Sequence, residues 1–597
     1  MLYKFKIKIS AHNSRPISQN GGLGIEEENF HPKPAIYNDD GKQLIILGTP
    51  ICRGKISGDA VSRKLLKEGL NKSLVLEIDG SFLLILYDEK TCVLTIVNDR
   101  FASIPFYYFS HQGEFTGSIN YGDIWDELLK KSHLDINRES FYEFIYLQRI
   151  LGSKTYDKKS RYLNSASLLK YDAKSCIMKV DRYWRPNFTK KRRPPQEASH
   201  MLADLVSSSI RKRTGDGRRY GLLLSGGLDS RCVLAAFEGA PECVTVGERR
   251  NNEYFVAKEL ADARGCPHTF IKRPPGYYAD ILKDASFLGG GMNMYVHAHF
   301  LGMDEIRAKA DVFFHGHGFD YMFGGKYLPC NAVRAFGKRT FMRKMKRLKE
   351  NVGEEFLSGV SYRLKSPDPS DIVASKDKAR MRESIRSSVQ EIISEGRDCC
   401  NDAYDFWEYL LMHNPSRHYT SLNISSLRTA AEERTPAFDN ELFDFYLSLP
   451  AERRMNKTVL VNAIRFLDER CYGIRNANTN FHIYDSDLTL TAKLAFNRAL
   501  RKAGLDASLP PGRGERSWPF KADVVNGVRE KAEDIPNSPA LESLGFLDMD
   551  KVRVCLARHM RGAGDYSDLI LTLMTIDSFI SDSREREPFN GAVKGKA

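Results

Sequence analysis

The sequence lacks most of the features that place a protein quickly. No run of about 18 apolar residues occurs, the longest being strand-sized pieces such as 82–87, so a membrane span is not expected. The opening Met1-Leu2-Tyr3-Lys4-Phe5-Lys6 alternates apolar and basic side chains and has neither the apolar core nor the small-residue cleavage site of a secretory signal. A cytoplasmic location is the expectation. The 11 cysteines form no C-x-x-C pair and no even framework spacing, which removes a structural zinc site and a disulfide scaffold. There is no G-x-x-x-x-G-K followed by Ser or Thr, and no G-x-G-x-x-G, so Walker and dinucleotide readings lose their main support. No internal repeat and no DNA- or RNA-binding motif is evident.

What is present is ordinary for a globular chain: 597 residues, 42% hydrophobic, with charges of both signs along its length. At roughly 150 residues per domain the length suggests about four domains, and two or three larger ones fit equally well. The formal charge of +13 gathers in patches: Lys190-Lys191-Arg192-Arg193, the run 338–349, and Arg498, Arg501 and Lys502. These sit in helix-like or linker-like sequence and read as solvated faces; contact with a polyanion is the other reading, and nucleic acid is disfavoured as a partner.

Up to about residue 184, short β-type runs at 43–48, 73–80, 82–87 and 92–97 predict a packed, largely antiparallel β layer, closed by a hairpin at 168–172 and 175–180. Trp184-Arg185-Pro186 and Arg193-Pro194-Pro195 then mark a boundary. Beyond it, an amphipathic helix is expected at 197–213, followed by alternating strands and helices: strands at 221–224, 243–246, 268–271 and 311–314, helices at 230–237 and 252–263. Such alternation implies a doubly wound parallel sheet with ligands at the carboxyl ends of its strands. From about residue 400 the sequence reads as helical, including 440–449 and 457–467. Low order is expected in the last hundred residues, which contain Pro510-Pro511-Gly512 and a polar, basic tail. The division expected is 1–190, 191–480 and a C-terminal helical extension with tail at 481–597.

Two segments carry chemistry. Leu224-Ser225-Gly226-Gly227-Leu228-Asp229-Ser230 turns from a buried strand straight into a helix, leaving backbone N–H groups and bare glycines open to a pyrophosphate. Asp229 would repel phosphate unless a divalent cation lies between them, and magnesium favours that mixture of oxygens. The second is His315-Gly316-His317-Gly318-Phe319-Asp320, running on through Gly324-Gly325-Lys326 after another apolar strand, where Asp320 could share the metal. Each taken alone could be no more than a tight turn.

Together these segments resemble the asparagine synthetase superfamily, whose first loop is S-G-G-L/V-D-S and whose second is similar to G-E-G-S/A-D-E-L/V-F-G-G-Y. Arg434-Thr435-Pro436-Ala437-Phe438-Asp439 resembles that family's R-V/I-P-F-L-D, and Lys457-Thr458-Val459-Leu460-Val461 its K-x-x-L-R, with Val461 where the family has Arg. In the first section, Asp79-Gly80-Ser81-Phe82, Asn98-Asp99-Arg100-Phe101, Pro105-Phe106-Tyr107-Tyr108 and Tyr183-Trp184 are similar to elements of its class II glutamine amidotransferase domain. The fold class implied is α+β and α/β: an N-terminal amidotransferase-like β-rich sandwich, then an ATP-pyrophosphatase (adenine nucleotide α hydrolase-like) parallel-sheet domain.

The resemblance implies an ATP-dependent ligase that adenylates a carboxylate and transfers it to ammonia or an amine, releasing AMP and pyrophosphate. Residues 225–230 would hold the pyrophosphate, Asp229 and Asp320 would hold Mg2+, and Leu224, Val246, His315 and Gly316 would contact the rest of ATP. Departures matter too. The family's nucleophilic Cys follows the initiator Met, and here Leu2 stands there, so glutamine hydrolysis is expected to be absent and the first domain a remnant. His317 occupies the place of the family's Glu and could accept a proton from an amine, or be polar surface. The family's catalytic Lys is missing near Ile474-Arg475-Asn476; Lys457, Lys326 or Arg475 could supply its charge, leaving His317, Lys457 and Lys326 as catalytic candidates. A tRNA-modifying ATP pyrophosphatase and a non-catalytic scaffold are the alternatives. The carboxylate, a small molecule or a peptide, stays open, and a homodimer is compatible.

Overall fold

The computed structural model describes residues 2, 4–10, 23–56, 59–335, 338–418, 421–502 and 521–585. Two antiparallel sheets build the first domain. One runs Arg161–Tyr162, Tyr107–His111, Glu114–Ser118, Lys4–Ser10, Gly24–Glu28; the other runs Ile177–Arg182, Ser167–Asp172, Val93–Asn98, Ile78–Asp88, Lys42–Cys52, Ala35–Asp39. The central strands of the second sheet are apolar on both faces, which is why they read as unbroken apolar runs rather than as alternation. Ile45, Leu47, Leu83 and Ile85 point into the sandwich core with Phe5 and Ile7. Leu44, Ile46, Leu84 and Leu86 point the other way, onto Leu65, Leu66, Leu74 and Val75 of two short helices.

One of those helices corrects the sequence reading. The run 73–80, expected as a strand, begins as the helix Lys72–Leu76 because the Asn71 side chain accepts the Leu74 N–H at 3.0 Å and starts a turn. The strand opens only at Ile78, and Ile78–Asp88 then merges two expected strands into one.

The second domain opens with the helix Pro195–Lys212 and is built on a parallel sheet in the order His268–Lys272, Glu242–Gly247, Tyr220–Leu223, Val312–Phe314, Glu432–Arg434. The crossover helices include Asp229–Ala236 and Asn252–Arg264, the latter ended by Gly265 at φ +66°. The fold class thus stands as expected. The basic run 338–349, suggested as helix or linker, starts instead in the hairpin of Cys330–Ala335 with Lys338–Met345. Lys190, in another basic patch, is 2.5 Å from Asp405 and so ties the linker down.

The C-terminal part also differs from expectation. Pro510-Pro511-Gly512 and the tail from 586 lie outside the described residues, but 521–585 is helical rather than poorly ordered. Its last helix, Ser567–Glu585, is buried along most of its length, with Thr572, Thr575 and Asp582 enclosed among Leu569, Leu571, Ile576 and Phe579. Trp125 Nε1 donates to Ser583 Oγ at 3.0 Å, and the Phe579 ring packs on Tyr121, so this helix fastens onto the first domain as well. The two domains are also joined by buried charges: Arg213 donates to Asp439 at 2.9 Å with Asp79 3.7 Å away, and Thr49 donates to Glu432 at 2.8 Å. Among the described residues no helix is long and apolar enough to cross a membrane, and all 11 cysteines are free thiols.

Candidate active site

The sheet order places a topological switch between Tyr220–Leu223 and Val312–Phe314, the first and fourth strands along the chain. Crossovers leave in opposite directions from there, opening a crevice at the strands' carboxyl ends. Both glycine-rich bends start at that crevice, and a cavity of about 460 Å³ lies between them.

The first bend closes upon itself. Leu224 N donates to Val244 O at 2.9 Å, keeping the chain in the sheet up to the turn. Ser230 Oγ then accepts the Ser225 N–H at 3.0 Å and donates to the Ser225 carbonyl at 3.1 Å, while Ser225 Oγ accepts the Gly227 N–H at 3.3 Å. No side chain caps the helix that follows. The two glycines serve different ends. A Cβ on Gly226 would stand 2.4 Å from the Ala477 Cβ, so this glycine permits packing against a distant segment; Gly227 faces open space, its nearest neighbours being Ser225 Oγ at 3.3 Å and Asn478 Nδ2 at 4.0 Å. A phosphate can approach the backbone there.

The second bend is pressed onto the first. A Cβ on Gly316 would fall 2.4 Å from the Asp229 carbonyl carbon and from the Ser230 nitrogen. His315 Nε2 lies 2.9 Å from Glu433, and His315 Nδ1 accepts the His317 N–H at 3.2 Å, which leaves Nε2 as the nitrogen that donates to Glu433. Burial alone would raise Glu433, but Arg428 and His315 hold its carboxyl well below the usual range. His317 is half-buried with its Nε2 enclosed and unpartnered, and burial, helped by His315, lowers its pKa to about 4. It is neutral near pH 7 and has a lone pair to offer.

Asp229 and Asp320 meet in the cavity. Burial, reinforced by the Asp320 charge, raises Asp229 to about 7 against the pull of Lys457 and Lys326. A buried carboxylate whose ionisation is disfavoured beside a second one suits a divalent cation shared by the two. Among the described residues no group of three or more His, Cys, Asp and Glu could hold a metal, so phosphate and water oxygens would have to complete its shell.

The basic candidates separate clearly. Lys326 pairs with Asp320 at 3.1 Å, and Arg475 is turned away, donating to Glu259 at 3.0 Å and Asn252 at 3.1 Å. Lys457 is exposed and lies outside the cavity's lining, yet the protein around it lowers its pKa while Asp229 pulls the other way. It sits in the left-handed region at φ +60°, a conformation that costs a non-glycine residue roughly 1–3 kcal/mol. The surroundings impose it: Gly325 of the second bend is packed on Arg454 and Met455, and the helix Thr458–Leu467 begins directly after Lys457.

Of the residues expected from sequence, Leu224, Ser225, Asp229, Ser230, Val246, His315, Gly316, His317, Asp320 and Lys326 all line the one cavity. Gly226, Gly227, Leu228 and Lys457 lie behind or beside its wall. Sequence reasoning missed Thr245, Glu253, Arg273, Phe300 and Ile424, and also Lys521 and Val524 from the part read as an extension. Glu253 had a signal, since it opens a helix at a strand's carboxyl end; the others had none.

A family model described as asparagine synthase matches residues 201–581, and one described as a glutamine amidotransferase domain matches 59–184. A protein of Methanocaldococcus jannaschii, named as a putative glutamine-hydrolyzing asparagine synthetase, is 22% identical over 421 residues; the match covers 68% of this chain and 63% of that protein. Two solved structures overlap at 9% identity. The allosteric regulatory enzyme of purine biosynthesis does so over 46% of this chain and 75% of its own (TM-score 0.20), and the glutamine phosphoribosylpyrophosphate amidotransferase of B. subtilis over 45% and 59% (TM-score 0.18). Neither overlap is close enough to argue from. The asparagine synthase match takes in more than half of the sequence and contains both bends: the chain belongs to the asparagine synthase family.

Proposed function

We propose that the protein is an ATP-dependent carbon–nitrogen ligase that adenylates a carboxylate and passes the acyl group to an amine or ammonia. The observation that carries this is the contact of Gly316 with the Asp229–Ser230 backbone, which brings a phosphate-accepting turn and a second carboxylate to one cavity. A substrate carboxylate oxygen attacks the α-phosphorus of ATP and pyrophosphate leaves; the amine nitrogen then attacks the acyl carbon and AMP leaves. Backbone N–H groups of 225–230 receive the pyrophosphate. Asp229 and Asp320 would hold Mg2+, which when bound would supply positive charge against the phosphate oxygens. Lys457 adds a fixed charge beside them.

His317 Nε2 takes the proton lost by the amine. At a pKa of about 4 it is a weak base in the free protein. The anionic nucleotide beside it favours the protonated form and moves it toward a useful range. In this reading the nitrogen donor is ammonia or an amine, since Leu2, just before the strand Lys4–Ser10, has no nucleophilic atom with which to hydrolyse glutamine.

A screen of carboxylates for ATP-dependent pyrophosphate release tests the reading. One class of acid should support release, with no glutamate formed from glutamine, and Asp229→Ala should abolish release while the protein stays folded. Unchanged release in Asp229→Ala would refute the assignment, and adenylation stimulated by tRNA would favour the tRNA-modifying alternative.

A further inference from the structure

We infer that the first domain positions the second bend, acting through Arg428 and Glu433, so that the ligase site is complete only with the amidotransferase-like domain docked against it. This rests on the reading of His317 as a site residue. The buried Asp99 carboxylate accepts N–H bonds from Phe82 at 3.0 Å, Phe101 at 2.8 Å and Ser103 at 3.2 Å, tying 99–103 into a tight turn. That turn presents two groups to the second domain.

The first is a carbonyl. Ser103 O accepts from Arg428 Nη1 at 2.6 Å, and the same guanidinium donates from Nη2 and Nε to Glu433 Oε2 at 2.8 and 3.2 Å. The other Glu433 oxygen receives His315 Nε2–H, and His315 Nδ1 receives the His317 backbone N–H. The second group is a ring. Phe101 stacks on Phe438 with centroids 4.6 Å apart and planes 6° off parallel, and Phe438 meets the edge of His317 at 6.1 Å. Two routes from one first-domain turn end on one residue, the first holding its backbone and the second its ring.

Neither Arg428 nor Glu433 lines the cavity, so both are positioning residues. Arginine suits the task because its planar fork serves a carbonyl and a carboxylate at once, which a lysine ammonium on a flexible stem does not do in fixed geometry. The first domain is then retained for what it holds in place, whatever has become of its own chemistry.

The test is the nitrogen spectrum of full-length protein labelled at histidine, with the His315 ring assigned by His315→Gln. Arg428→Gln and Asp99→Asn should turn the single Nε2–H tautomer of His315 into an exchanging pair. They should also lower amide formation by roughly 10²-fold, the scale on which a misplaced group costs rate. Arg428→Lys should fall between them and the parent protein. Phe101→Leu removes packing only, and should lower the melting temperature while leaving the tautomer in place. If Arg428→Gln is folded and its His315 signals are those of the parent, the inference is overturned; should the bolder variants not fold, parent-like His315 signals in Arg428→Lys overturn it equally. A His315 that responds without any change in amide formation would uphold the linkage and count instead against His317 as the proton acceptor.

Discussion

The two bends solve one problem by opposite means. Residues 225–230 are held chiefly by bonds within the bend, serine hydroxyl to backbone over six positions of chain, with one tie from afar in the Ala477 N–H that donates to the Gly226 carbonyl at 3.0 Å. Residues 315–326 are held from far away: Glu433 grips His315 across 118 positions, and Gly325 rests on Arg454 and Met455. A turn that is mostly its own scaffold keeps its shape in many contexts. One that borrows its scaffold has the shape its neighbours permit, and the two carboxylates can be brought together only if those neighbours hold.

That contrast can be broken most forcefully at Gly316. A Cβ there would collide with backbone on both sides, so Gly316→Ala should push the bends apart, remove ATP binding in calorimetry and destabilise the fold by about 1–3 kcal/mol. An alanine variant that binds ATP normally would show the contact to be unimportant. Next in size is Lys457→Ala, expected to slow pyrophosphate release by about 10²–10³-fold, the usual weight of one fixed electrostatic group.

A smaller effect is expected from pH. His317 is neutral in the fold, its pKa lowered to about 4, against about 6.5 unfolded, so its stabilisation is complete above pH 6.5 and lost as pH falls toward 4. His317→Gln should flatten the loss of stability measured by denaturant titration across that window by roughly 2–3 kcal/mol. An acid limb identical in the variant would show that the ring is not held neutral by the fold. The smallest effect belongs to Arg475→Ala. Because this guanidinium is engaged with Glu259 and Asn252, pyrophosphate release should change by less than about twofold, on the scale of a surface ion pair. A loss as large as that of Lys457→Ala would reverse their roles.

Much of this molecule is legible in its sequence. Four of the five parallel strands, the helices at 195–212 and 252–264, the hairpin before the linker and every residue of the first bend can be marked from pattern alone, whereas Glu432–Arg434 falls where the sequence reads as helical. The errors have local causes. Asn71 caps a helix where β-type residues suggest a strand, and Ser567–Glu585 escapes notice as a core helix because Ser, Thr and Asp interrupt its apolar residues. Three candidates for the missing lysine charge could not be ranked until Glu259 and Asp320 were seen to occupy two of them.

By itself the sequence determined which groups exist at each strand end, since the alternation of apolar runs with Ser, Gly and Asp is a one-dimensional pattern obeying local rules of turn and helix. Only the tertiary structure decided that His317 is enclosed and neutral, that Lys457 rather than Arg475 stands by the carboxylates, and that a turn in the first domain reaches the second bend. Those outcomes depend on burial and on partners more than a hundred residues apart. Desolvation and Coulomb interactions follow distance in space, which a linear order of residues does not contain.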